Sequence, residues 1–277
     1  MDITSQEKAV NIGVPQGSTL GVDLFLLYIN EINTVLKWCN IALFADDTLI
    51  YINSKNLSDE QNKIQEDLQN LERWLCMNKL KLNIDKTKFI ILNSNENLQL
   101  QIGSENISEV NSIKYLGVII DKQLNFNEHA DYICKKISKK VGFLSRIRKR
   151  LNFNNVVMIY NFIILPHFDY CATILYMCNS NVKERLQILQ NKAMRTIIKC
   201  NIYTPTSYML QMLMWFNVKQ RLSLRVLLFV FNVKHGVFPG YLQDELVYVG
   251  DIQPYNLRRA NDFRLMRFNK IIPFDNY

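Results

Sequence analysis

Apolar positions follow two different periods along this chain. From Leu20 to Leu36 they recur every three or four residues, through Leu20, Leu24, Leu27/Tyr28 and Ile32, which predicts a helix with Ser18 as its cap. Two β-prone runs follow, Ile41–Phe44 and Thr48–Ile52, separated by Ala45-Asp46-Asp47; this predicts a hairpin. Ser58–Leu80 returns to the helical period, with Leu57, Ile64, Leu68, Leu71 and Leu75 on one face and a Ser58/Gln61 capping box. Lys88–Leu92, Leu98–Ile102 and Ile113–Ile120 read as strands, the last with Gly117 inside it. From Asn127 the pattern is helical almost throughout. Ile133, Ile137, Val141, Leu144 and Ile147 form one stripe, and further helices are expected over Asn155–Leu165, Val182–Lys199 and Val218–Lys234.

Charge reinforces this change of period. Residues 1–124 hold 11 Lys/Arg against 16 Asp/Glu, whereas residues 125–277 hold 22 against 9. A basic half suggests a polyanionic partner; a solvated basic surface is the plainer alternative. Period and charge together divide the chain into 1–124, 125–239 and a weakly periodic tail, 240–277.

Composition narrows the class. With 48% hydrophobic and 21% charged residues, 9 Gly and 6 Pro, the chain is globular rather than disordered or fibrous. Its six Cys form no C-x-x-C pair, and its three His stand at no ligand spacing from them, so a zinc site is not expected. Scattered Cys without an apolar leader point to a reduced, intracellular protein, nuclear or cytoplasmic. Asn56 and Asn106 match the glycosylation pattern by chance on that reading. The apolar runs Val156–Leu165 and Leu222–Val233 are short and contain Asn161 and Arg225, so buried helices are expected rather than membrane spans.

The sharpest chemistry lies between the two β-prone runs. Asp46 and Asp47 are adjacent carboxylates at the tip of an apolar hairpin. Such a pair is either ordinary turn chemistry or a ligand set for a hard cation, since magnesium takes one or two protein carboxylates plus substrate phosphates. Two such ions about 3.5–4 Å apart can stabilise both oxygens of a phosphoryl displacement.

The surrounding motifs favour the second reading. Gly13-Val14-Pro15-Gln16-Gly17-Ser18, a helix, then Phe44-Ala45-Asp46-Asp47, which begins its carboxylate pair 30 residues after Gln16, resemble two motifs of reverse transcriptases. The resemblance is strongest to non-long-terminal-repeat (LINE-type) retrotransposons. Leu82-Asn83-Ile84-Asp85-Lys86-Thr87-Lys88-Phe89 resembles the next motif, and Ile113-Lys114-Tyr115-Leu116-Gly117-Val118 the primer grip, continued by Asp121–His129. Looser likenesses to the helical region after the palm follow at Leu165–Tyr170 and Leu189–Arg195.

This resemblance implies an α+β fold. The fold it implies is a partial right-hand polymerase palm, an antiparallel sheet with helices, followed by an all-helical basic thumb. It implies an RNA-directed DNA polymerase working on an RNA template, a DNA primer and deoxynucleoside triphosphates, with two magnesium ions or manganese in their place. Asp46 and Asp47 would hold the metals. Gln16, Gly17, Ser18 and Phe44 would contact template and nucleotide. Lys86 would assist at the phosphates, and Tyr115, Leu116 and Gly117 would grip the primer. Lys135, Lys136, Lys139, Lys140, Arg146 and Arg148 would follow the nucleic-acid backbone. His129, His167 and His235 are read as structural.

Departures accompany the match. Val22-Asp23 and Ile84 replace residues usual in the family, so Asp23 must face solvent. The family's third carboxylate stands on a strand upstream of the Gln-Gly turn; only Asp2 and Glu7 are acidic before Gly13, and the chain is read as amino-terminally truncated. A nucleic-acid-binding remnant without chemistry is therefore the alternative reading.

Overall fold

The computed structural model describes residues 13, 17–54, 57–94, 96–244, 246–248 and 263–265. The chain divides into two compact units, Met1–Val110 and Asn111–Tyr277.

The first unit opens with helix α1 (Gly21–Ile29), prolonged by a 3-10 turn over Asn30–Val35. The predicted Ser18 side-chain cap does not form. Leu20 occupies the cap position, and Ser18 offers its backbone carbonyl to the Gly21 N–H at 3.3 Å. The buried face also differs from the expected one. Leu20, Leu24 and Leu27 are exposed, while Phe25, Ile29 and Ile32 meet the core. This helix is apolar on nearly every side, so spacing alone could not choose the face. Asp23 is exposed, as its position required.

Strands β1 (Asn40–Phe44) and β2 (Asp47–Tyr51) form the predicted hairpin, antiparallel, with Phe44 opposite Asp47. Helix α2 (Leu57–Met77) packs behind it. Its Leu68, Leu71 and Trp74 join Ile29, Ile32, Leu100, Ile102 and Ile107 in one core, with Ile41, Leu43 and Ile50 against it.

A buried carboxylate fixes how the hairpin meets α2. Asp67 is 1% exposed and accepts from three successive backbone N–H groups, Lys37 at 2.8 Å, Trp38 at 2.9 Å and Cys39 at 2.7 Å. Burial works to raise its pKa, but these bonds outweigh that and hold it below the usual carboxylate value. The preceding Glu66 binds the Lys37 ammonium at 2.6 Å and the Trp38 indole N–H at 3.0 Å. The chain entering β1 is thus held from two adjacent positions of α2.

The strands after α2 are shorter than predicted. They are two-residue ladders, β3 (Lys88–Phe89), β4 (Gln101–Ile102), β5 (Glu105–Asn106) and β6 (Ser108–Glu109). β4 pairs antiparallel with β5, and β3 pairs parallel with β6. The single antiparallel sheet implied by the resemblance is not assembled among the described residues, where every ladder is two-stranded. Side chains replace part of the missing pairing. Gln65 of α2 bonds the Gln101 N–H and C=O at 3.0 and 2.8 Å, and Gln61 reaches the Gln99 carbonyl at 3.2 Å.

The second unit begins with a hairpin rather than the single strand expected over 113–120. β7 (Ser112–Tyr115) and β8 (Val118–Asp121) are joined by Leu116-Gly117, both at positive φ, the signature of a type I′ turn. Helix α3 (Asn127–Ile147) follows. Asp121 caps the link, accepting from the N–H groups of Gln123, Asn125 and Phe126 at 3.2, 3.1 and 2.7 Å. These bonds tie the hairpin to the helix, and the boundary between the two units falls ahead of the change in charge and period at Leu124.

The remaining elements are helical: α4 (Phe153–Ile159), a π-turn over Tyr160–Ile164, α5 (Pro166–Asp169), α6 (Ala172–Met177), α7 (Ser180–Ile198), α8 (Thr206–Leu213), α9 (Val218–Lys234) and α10 (Tyr241–Asp244). A short ladder of β9 (Leu246–Tyr248) with β10 (Phe263–Leu265) closes the described chain. The π-turn lets Leu165 N–H reach the Tyr160 carbonyl at 2.9 Å just before Pro166, which has no N–H to offer.

The core of this unit contains the α3 stripe of Ile133, Ile137, Val141 and Leu144, with Val156, Tyr160, Leu175, Leu186 and Ile197. The apolar run in α9 is only partly buried. Val218, Leu222 and Val233 are covered, whereas Leu227, Leu228 and Phe231 are exposed. A one-sided contact suffices to hold α9, so its run does not mean full burial. No helix among the described residues is long and apolar enough to cross a membrane.

His129 joins the hairpin to α3. Its Nδ1 accepts the Ile119 N–H at 3.3 Å, so the ring proton sits on Nε2, which has no partner among the described residues. Burial and the charge of Lys136 lower its pKa.

Two outcomes follow from these polar contacts. Asp67→Ala should cost about 2–4 kcal/mol and open the amides of Lys37, Trp38 and Cys39 to hydrogen exchange, because three donors lose a charged acceptor. His129 contributes fully only while neutral. With a lowered folded pKa, its contribution is complete above an unfolded value of about 6.5 and drains away as pH falls below it. Urea midpoints measured from pH 7.5 to pH 5 should therefore fall more for the native chain than for His129→Gln, whose amide oxygen can accept the Ile119 N–H at any pH.

Candidate functional site

The β1–β2 register decides where the two carboxylates go. Ile41 pairs with Ile50 and Leu43 with Thr48; Ile41, Leu43 and Ile50 pack on the core. Successive strand residues alternate faces, and directly paired residues share one. Asn40–Tyr51, Ala42–Leu49 and Phe44–Asp47 therefore line the opposite face, and all six are exposed. Asp47 stands on that face beside Phe44, which is 62% exposed. Asp46 lies in the two-residue turn with Ala45 and is exposed. Ala45 has φ 52°, a left-handed conformation unfavourable for a residue with a Cβ, so the tip stores backbone strain.

This donor set suits a hard cation in part. It offers two adjacent carboxylates open to solvent, matching the one or two that magnesium takes beside substrate phosphates. Among the described residues no group of three or more His, Cys, Asp and Glu could close around a metal.

Gly17 is exposed at φ 85°, with open space where a Cβ would stand, and Ser18 follows it at the entry to α1. Gln16 lies outside the described residues. Lys86 is exposed on a turn organised by Asn83, whose backbone carbonyl accepts from the N–H groups of Lys86 at 3.2 Å and Thr87 at 3.0 Å. Leu82 and Ile84 anchor that turn in the core. Among the described residues no ion pair joins Lys86 to Asp46 or Asp47.

In the second unit Tyr115, Leu116 and Gly117 form the β7–β8 tip. The Tyr170 hydroxyl donates to the Leu116 carbonyl, and a Cβ on Gly117 would lie 3.3 Å from the Tyr170 ring. Glycine thus serves both the positive φ and the close approach of Tyr170.

The basic residues of α3 and of its C-cap, Arg148, do not behave as one row. Lys135, Lys139 and Arg146 are exposed. Lys140 is partly tied down, donating to the Ile163 carbonyl at 3.1 Å. Lys136 lies over the Tyr132 ring, 4.5 Å from its centroid. Arg148 departs from the prediction. It is 9% exposed, with Nε donating to the Thr196 and Ile197 carbonyls at 3.0 and 3.2 Å, Nη2 to Ile197 at 2.9 Å and Nη1 to Leu151 at 2.9 Å. Its guanidinium caps the last turn of α7, where carbonyls lack helical partners and the helix dipole favours a cation. That occupation removes it from the solvent-facing set.

His129 and His167 are held below their usual pKa, in each case first by burial and then by lysine charge. Asp67 escaped the sequence reading, and Tyr170 entered it only as the end of the Leu165–Tyr170 likeness, with no contact assigned to it. Asp67 left a signal, since it sits on the apolar stripe of α2 between Ile64 and Leu71, where an acid is out of place unless it has donors. Tyr170 left none, because its partner is a carbonyl 54 positions away.

Comparison with known proteins gives a consistent answer. Residues 1–120 match the family "Reverse transcriptase (RNA-dependent DNA polymerase)". The chain is 30% identical over 206 residues to the probable RNA-directed DNA polymerase from transposon X-element of Drosophila melanogaster, covering 71% of this chain and 23% of that protein. It is 26% identical over 205 residues to the RNA-directed DNA polymerase from mobile element jockey of Drosophila funebris, covering 70% and 22%. It is also 26% identical over 178 residues to a Pol polyprotein from the type-1 retrotransposable element R1 of Bradysia coprophila, covering 61% and 18%. The chain spans less than a quarter of the length of these relatives. No solved structure matches it.

The burial of Arg148 has a measurable consequence. Arg148→Met should lower stability by about 2–4 kcal/mol, read as a drop in melting temperature, because three main-chain carbonyls lose their donor. Lys139→Met, at an exposed position on α3, should leave the melting temperature nearly unchanged.

Proposed function

The chain belongs, through residues 1–120, to the reverse transcriptase family of non-long-terminal-repeat retrotransposons, and from that premise we propose that it forms part of an RNA-directed DNA polymerase. The observation that carries this reading is the β1–β2 tip, which exposes Asp46 in its two-residue turn and Asp47 at the start of β2, with Phe44 beside Asp47.

The reaction is a phosphoryl displacement. The primer 3′-hydroxyl attacks the α-phosphorus of a deoxynucleoside triphosphate, a new phosphodiester forms, and pyrophosphate leaves. Magnesium, two ions or manganese in their place, would supply Lewis acidity and charge neutralisation at those oxygens. Asp46 and Asp47 offer its protein ligands. Phe44, on the same hairpin face as Asp47, borders the nucleotide. Gln16, Gly17 and Ser18 position the templating base and nucleotide from the turn before α1. Lys86 brings a cation to the triphosphate, where it can offset charge on the departing pyrophosphate.

The second unit handles nucleic acid on this reading. Tyr115, Leu116 and Gly117 present the narrow β7–β8 tip to the primer end, and Tyr170 fixes the shape of that tip. Lys135, Lys136, Lys139, Lys140 and Arg146 supply attraction to phosphates that does not depend on sequence. RNA template, DNA primer and deoxynucleotides are the partners.

Primer extension tests the proposal. The full chain, given a DNA primer on an RNA template with magnesium, should extend the primer. Asp46→Asn and Asp47→Asn should each reduce the rate at least about 100-fold, as loss of a preorganised charge group does. Extension no greater than that of the variants would leave binding without polymerisation. Backbone attraction is read separately. Five phosphate contacts predict a slope of about −4 for log affinity against log salt, and a flat dependence would remove α3 from the nucleic-acid surface.

A further inference from the structure

Two lysines from different elements of the second unit converge on one aromatic ring. Lys114 on β7 places its ammonium 5.0 Å from the Tyr132 ring centroid, and Lys136 on α3 places its own 4.5 Å away. Both charges therefore sit within a Debye length of roughly 8 Å of that ring and act there largely unscreened.

The ring spreads this charge without cancelling it. Among the described residues neither lysine has a carboxylate partner. The nearby acids of α3 are engaged elsewhere, Glu128 accepting from the Ser112 hydroxyl at 2.6 Å and Asp131 paired with Arg185 at 2.6 Å. Three titratable groups register the surplus. The Tyr132 phenol is held below its usual pKa by hydrogen bonding to Lys136 and Lys114 and by their charge. His129 is lowered by burial and then by Lys136, and His167 by burial and then by Lys140 and Lys136.

Two cations gathered at one phenol without an acid have the composition of an anion site. The ammonium groups offer rotatable donors, and the phenol O–H offers a third. Lys139 and Lys140 continue from Lys136 along α3 at i+3 and i+4, so the positive surface runs on from the ring and favours a polymeric anion over a small one.

We propose that Lys114, Tyr132 and Lys136 form a clamp for one phosphate of a nucleic-acid strand, bridging the β7–β8 hairpin and α3. The nature of the strand rests on the polymerase reading above; the clamp rests on its own geometry. A bound phosphate draws the two ammonium groups toward itself and neutralises the field around the phenol. Strand binding is thereby coupled to the ionisation of Tyr132.

The test uses the full chain with its tyrosines labelled by ¹³C at Cζ, the Tyr132→Phe variant identifying the Tyr132 resonance. The probes are a fluorescent single-stranded DNA 20-mer and inorganic phosphate. Saturation with the 20-mer should move the Tyr132 ionisation to higher pH. Lys114→Gln and Lys136→Gln should each weaken 20-mer binding about 5- to 10-fold and make the salt slope shallower by about 0.7, the single-strand value for one phosphate contact. Lys199→Gln, at the exposed C-cap of α7, should change binding less than 2-fold. Native affinity and slope in both Lys114→Gln and Lys136→Gln would overturn the clamp. A Tyr132 response to inorganic phosphate but not to the 20-mer would overturn the strand as its ligand. Strand binding with an intact Tyr132 response but no primer extension would sink the polymerase reading and leave the clamp standing.

Discussion

The first unit depends on a carboxylate that cannot be left alone in its core. Asp67 lies on the buried side of α2, where an unpaired charge would be prohibitively costly, and the chain satisfies it with three consecutive backbone N–H groups. That constraint fixes the path of residues 37–39. It therefore fixes the first residue of β1 and, through a five-residue strand, the position of the hairpin tip that carries Asp46 and Asp47. The two exposed acids are placed by a third that is hidden. Glu66 adds a weaker hold from the surface, where solvent screens its pair with Lys37.

The second unit follows the same logic with different groups. Asp121 gathers three N–H groups between hairpin and α3, His129 accepts one from β8, and Arg148 closes the end of α7. Each polar side chain sits where elements of different period meet and main-chain groups would otherwise lack partners. Apolar packing supplies most of the cohesion here, but it is not directional. The buried polar groups decide register and angle, and through them the placement of the β7–β8 tip.

Much of this was legible in the sequence. The β1–β2 hairpin was readable because a short acidic link between two β-prone runs permits little else. α3, α7 and α9 were readable from sustained periodicity, and the residue types at 13–18, 44–47 and 82–89 pointed to one family. Other features were not. α1 is apolar on most sides, so its period could not say that Phe25 and Ile29 face inward while Leu24 faces out. The apolar pattern over 113–120 reads as one strand, yet it folds back on itself where Leu116 and Gly117 take positive φ; only the likeness to the primer grip implied a tight turn at Gly117. Arg148 looked like its neighbours Arg146 and Lys149; only the arrival of the α7 C-terminus beside it distinguishes them. Each failure is a tertiary contact overriding a local pattern.

The β1–β2 hairpin also behaves as a counting device. Its turn holds two residues, and its faces alternate with every position, so the direction of the Asp47 carboxylate depends on an integer. A single residue inserted or deleted within β2 would exchange the two faces, sending Ile50 to solvent and the positions now lined by Leu49 and Tyr51 toward the core. Substitutions along these strands alter packing by degrees, whereas a frame-preserving insertion or deletion of one codon alters it all at once. This stretch of coding sequence should therefore tolerate changes of letter far better than changes of length.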